Sequence, residues 1–173
     1  MVFPAYHLGI ASALLLAAAG ADAWKRRIPN ALNAVLCLAG LAAQAHARGW
    51  AAAGLGLVAC LVTVALLWWP WLKGMLGGGD VKMAGASAAW LTLSQLPTYL
   101  LLAAVAGGLL ALIYYGLSSR DARREMRMNL TTAAMSATLP QVTLREGAGR
   151  RSVPYSVAFA ASALLLLWRG GLW

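Results

Sequence analysis

Six times the chain runs through an apolar stretch: from about Pro4 to Ala23, Ala31 to Ala47, Trp50 to Pro70, Met83 to Leu96, Thr98 to Leu117 and Val153 to Leu172. A helix that crosses a bilayer needs about 17 to 25 mostly apolar residues. The fourth stretch reaches that lower limit only when counted from Asp80, which sets its start at the membrane edge. Backbone polar groups find no water in hydrocarbon, so only helices and closed barrels can span it. Leu, Ala, Val and Trp fill the stretches with no two-residue alternation of polar side chains, which argues against a lipid-facing barrel. The expected fold is therefore all-α, a polytopic membrane protein with about six transmembrane helices. Composition agrees, because 61% of the 173 residues are hydrophobic and 11% are charged, against about 25% charged in a soluble domain. We expect one membrane-embedded domain over 1–173, with a cytoplasmic loop at about 118–152 as its sizeable segment outside the bilayer.

The first stretch ends in Ala21-Asp22-Ala23, which looks like a signal-peptide cleavage site, but no Lys or Arg precedes it and Lys25-Arg26-Arg27 follow it. That order is the reverse of a secretory signal, so the helix is expected to be retained. With the N-terminus outside, 12 of the 14 basic residues fall on the cytoplasmic side, leaving only Arg48 and Arg169 outside. So lopsided a division fits the positive-inside rule. The formal charge of +9 sits beside helix ends, which points to anionic membrane lipids as partners and away from nucleic acid. The segment after Leu117 opens with Arg120-Asp121-Ala122-Arg123-Arg124-Glu125 and turns apolar around Leu130 to Leu139, a pattern expected for an interfacial helix and loop.

Within the first 120 residues the only carboxylates are Asp22 and Asp80. In this topology both face the cytoplasm, Asp22 at the end of the first helix and Asp80 at the start of the fourth. A carboxylate at the edge of hydrocarbon is costly and tends to be kept for a task, and two together can share a proton and run acid-base chemistry. Each also has a plainer explanation. Asp80 could cap its helix, and Asp22 could pair with Lys25 three residues on. The glycines of Gly77-Gly78-Gly79-Asp80-Val81-Lys82 would allow close approach of a substrate backbone and an unusual turn at Asp80. Cys37 and Cys60 fall inside predicted spans and are expected to be small buried hydrophobes. His7 and His46 lie near the outer surface, away from the aspartates, and no metal-binding spacing is present.

These residues, taken in order, resemble the three signatures of the type IV prepilin peptidases, the GxGD-type intramembrane aspartic proteases. Asp22 followed by Lys25-Arg26-Arg27-Ile28-Pro29-Asn30, then Gly77 to Lys82, then Val153-Pro154-Tyr155 carry the resemblance. By size the chain is most similar to the short form that serves Flp-type tight-adherence pili. The resemblance implies Asp22 and Asp80 as the catalytic pair, with Gly77, Gly79, Lys82, Pro29 and Asn30 shaping the site or binding substrate. It implies no metal and no other cofactor, a prepilin or pseudopilin substrate, and a bacterial inner-membrane location with the active site facing the cytoplasm. Ser156 stands where the family usually has Gly, which bears on the packing of the last helix more than on the chemistry. The larger relatives' cytoplasmic Cys-x-x-Cys region is missing, so methyltransferase activity is not implied. Two other classes stay open: a small transporter or proton-relay subunit using the same two aspartates, and a non-catalytic pilus or secretion assembly factor.

Overall fold

The computed structural model describes residues 3–25, 27–73, 76–117, 123–124, 128 and 155–169. The expected interfacial segment at 118–152 lies outside them apart from three residues, as do Arg26, Val153 and Pro154. Among the described residues all regular structure is helical: α1 (Ala5–Lys25), α2 (Asn30–Arg48), α3 (Trp50–Leu72), α4 (Gly78–Ala88), a 3₁₀ turn (Leu93–Gln95), α5 (Leu96–Leu117) and α6 (Tyr155–Arg169).

Three of these have the length and apolarity to cross a membrane: α1, α3, and α5 together with its leading 3₁₀ turn. The other helices differ from the expected spans for physical reasons. Helix α2 has 19 residues but buries the polar side chains of Asn33 and Gln44 and ends in His46 and Arg48. Helix α6 is described over 15 residues. Helix α4 has only 11, a rise of about 16 Å, roughly half the hydrocarbon thickness.

The fourth stretch was expected to run on to Leu96, yet its helix stops at Ala88. The chain turns there because Trp90 is drawn inward. Its ring is 1% exposed, and its indole N–H donates to the Leu36 carbonyl over 2.9 Å. Non-helical backbone at membrane depth survives only where protein satisfies it. Here Gln44 Nε2 donates to the Leu91 carbonyl over 3.2 Å, and the Trp90 and Leu91 amides bond back to Ser87 and Ala88. Thr92 then opens the 3₁₀ turn, its N–H donating to Gln95 Oε1 over 3.0 Å. Pro97 falls in the first turn of α5, where its missing N–H is not needed.

Helix α4 packs against α2, α3 and α6, while α1 packs between α2 and α6. Every residue from Met83 to Ala88 is buried. All but Met83 are small, which lets backbones approach closely where lipid gives helices no hydrophobic reason to associate. A Cβ on Gly85 would lie 2.6 Å from Val64 Cγ2, and one on Gly56 would lie 2.8 Å from the Ala89 carbonyl oxygen. Both glycines are required for the α3–α4 contact. The outward faces carry exposed Leu16, Leu38, Leu61, Leu101 and Leu112, as suits a surface that meets hydrocarbon.

Candidate active site

Five helix ends meet at one end of the bundle. The start of α4 lies against the α1–α2 connection, where a Cβ on Gly79 would sit 3.8 Å from Ile28. It also lies against the end of α3, where a Cβ on Gly78 would come within 3.2 Å of Trp71 Nε1. Lys82 Nζ donates to Asn30 Oδ1 over 3.0 Å and so ties α4 to the first residue of α2. Pro29, at the N-cap of α2, accepts the Leu32 and Asn33 amides and starts that helix.

Asp22, one turn before the end of α1, is buried. It does not pair with Lys25, which is exposed. Its Oδ2 accepts the Ser156 hydroxyl from the first turn of α6 over 2.5 Å. Asp80, half-buried in the first turn of α4, lies near enough to Ser156 and Asp22 for the Ser156 backbone amide and the Asp22 charge to act on it. The two aspartates, 58 positions apart in sequence, are thus brought to a single residue of α6. Carboxylates brought to one buried place disfavour each other's ionised form.

Asp80 also caps its own helix, since its Oδ2 accepts the Gly77 N–H over 3.3 Å. The plain capping role and the pairing with Asp22 therefore coexist. Gly77 is needed for space: a Cβ there would lie 2.9 Å from Asp80 Oδ2 and push the carboxyl group away. The unusual turn expected of the glycine run is not found. Gly77 is extended, with φ −74° and ψ 145°, and among the described residues only Gly49 has a positive φ. The glycines act through close approach. A Cβ on Gly79 would make only ordinary contact with Ile28.

Lys82, two residues on, projects about 200° round the helix from Asp80. It faces a separate cavity of about 310 Å³ between α2, α3 and α4, lined also by Asn30, Asn33, Cys37 and Cys60. The carboxamide of Asn33 is buried with no hydrogen-bond partner among the described residues. Cys37 and Cys60 are free and only half-buried, and they line this cavity together across the α2–α3 contact. They are more exposed than the sequence suggests, because α2 and α3 leave this cavity open between them. His7 and His46 stack edge to face at 5.3 Å. His7 is 15 residues, roughly 22 Å of helix, from Asp22, at the far end of α1 as expected.

Sequence reasoning missed Ser156 as part of the site. Its departure from glycine was visible, but only the fold brings its Oγ onto Asp22.

The profile of the type IV leader peptidase family matches residues 9–112, more than half of the chain and a span that holds both aspartates. No curated protein and no solved structure matches the chain.

Proposed function

We propose that this chain, which belongs to the type IV leader peptidase family, is an aspartic endopeptidase that uses Asp22 and Asp80 to remove the short basic leader of prepilins or pseudopilins. Membership implies aspartic peptidase activity and prepilin substrates. The observation that carries the assignment of the residues is the meeting of both carboxylates at Ser156.

The ionised aspartate takes a proton from a water, and the resulting hydroxide equivalent attacks the scissile carbonyl carbon. The neutral aspartate gives its proton to the carbonyl oxygen. Collapse of the tetrahedral intermediate returns that proton to the dyad and delivers one to the leaving nitrogen, so the pair ends as it began. Gly77 and Gly79 shape the mouth beside Asp80, while Pro29, Asn30 and Lys82 hold the start of α2 against α4 on the substrate's path. A transport role is less suited to the pair, since ion sites of transporters lie near the bilayer midplane on broken helices, whereas these groups sit in the end turns of α1 and α4.

The assay is co-expression with a prepilin in cells that lack other leader peptidases. The shortened pilin should accumulate only when this chain is present; full-length prepilin in both cultures would reject the assignment.

Orientation follows from the division of basic residues: N-terminus outside, six crossings, the site facing the cytoplasm. In a protein lacking Cys37 and Cys60, single cysteines near Lys25, Lys73 and Arg124 should react with an impermeant reagent only after the membrane is opened. Cysteines near Arg48 and Pro97 should react in intact cells. Reaction of positions 25 and 124 from opposite sides would break the six-crossing arrangement.

A further inference from the structure

Ser156, at the start of α6, lies where both aspartates meet. Ser156 is fully buried. It lies in the first described turn of α6. Its backbone amide is near enough to act on Asp80, and its hydroxyl donates to Asp22.

We propose that Ser156 is the positioning residue of the dyad, a clasp that fixes the place of the Asp22 carboxyl group beside Asp80 by giving it its hydroxyl. This rests on the peptidase assignment above and adds to it a residue that lies beyond the 9–112 family match. A neutral hydroxyl bonded to a carboxylate interacts more strongly with its charged than its neutral form. Deleting the hydroxyl should make the dyad's base easier to protonate. The surroundings of Asp22 offer little to replace the hydroxyl. Helix α6 carries Tyr155 beside Ser156 and Arg169 at its far end, α2 carries Cys37, His46 and Arg48 away from its start, and Lys82 of α4 is engaged by Asn30. On α1, Lys25 is exposed, and among the described residues the charge that acts across the site is that of the partner aspartate.

The test compares pH profiles of kcat/KM for prepilin cleavage by the parent protein, Ser156→Ala, Ser156→Gly and Ser156→Thr, with Asp22→Asn and Asp80→Asn run alongside. Alanine and glycine both keep the backbone N–H; alanine removes only the hydroxyl, and glycine removes Cβ with it. Both should lower kcat about ten- to hundredfold near neutral pH with little change in KM, and should move the acid limb upward by about one unit. Threonine, which keeps the hydroxyl, should restore the parent's acid limb; if its methyl group prevents folding, the alanine and glycine variants decide alone. An unmoved acid limb in both, whether or not the rate falls, would overturn the clasp. Full activity in the aspartate variants would instead overturn the peptidase assignment itself, so the two failures are distinguishable.

Discussion

Asp22→Asn and Asp80→Asn are each expected to lower prepilin cleavage by at least about a thousandfold, and the double variant to be no worse than either single one. Groups that act as a unit are strongly non-additive. An asparagine can neither take the proton of the attacking water nor return one to the leaving nitrogen, so a dyad with one member is not half a dyad. The carboxamide keeps the size of the carboxyl group and can still accept the Ser156 hydroxyl or the Gly77 N–H, so the bundle should remain folded. Rates are compared with purified proteins whose thermal unfolding matches that of the parent. Additive losses, each only a few-fold, would instead assign the aspartates to structure and leave the chemistry elsewhere.

The second large effect concerns the turn that ends α4. Trp90→Ala is expected to destabilise the protein by about 3 to 5 kcal/mol, the usual cost of truncating a buried aromatic side chain. The ring is wedged over Gly40, where a Cβ would come within 2.7 Å of Trp90 Cδ1, and its edge meets Phe3 at 6.1 Å between centroids. Removing it leaves a cavity beneath the turn and strips the Leu36 carbonyl of an added partner. Trp90→Phe keeps most of the ring and loses the hydrogen bond, so its cost should be nearer 1 to 2 kcal/mol. Thermal unfolding in detergent, read for both variants, separates packing from the hydrogen bond. Unfolding temperatures equal to the parent's for Trp90→Ala would mean that the turn is held by something other than this side chain.

Helix α4 shows where the sequence is informative and where it is not. The start was legible, because glycines followed by an aspartate mark a helix N-terminus and because Asp80 is the one carboxylate of that region. Its end was not. The run from Met83 to Leu96 is apolar throughout, and hydropathy cannot separate a spanning helix from a short one followed by a buried turn. The turn depends on Trp90, Leu36 and Gln44, which meet only after α2 has packed against α4. The conformation of the glycine run was not legible, since a glycine kept for space and one kept for a positive φ look alike in sequence. Asp22 and Asp80 could be singled out by charge alone, in a region with no other carboxylate. Ser156 could not, because a serine near the start of an apolar helix is ordinary until the fold sets its hydroxyl on Asp22.

The most direct measurement is the mass of the products formed when the purified protein, in lipid, is given a purified prepilin. One cut between the basic leader and the apolar helix, made by the parent protein and by neither Asp22→Asn nor Asp80→Asn, is the expected result. An intact prepilin after incubation with folded protein, or the same cut made by either aspartate variant, would contradict it.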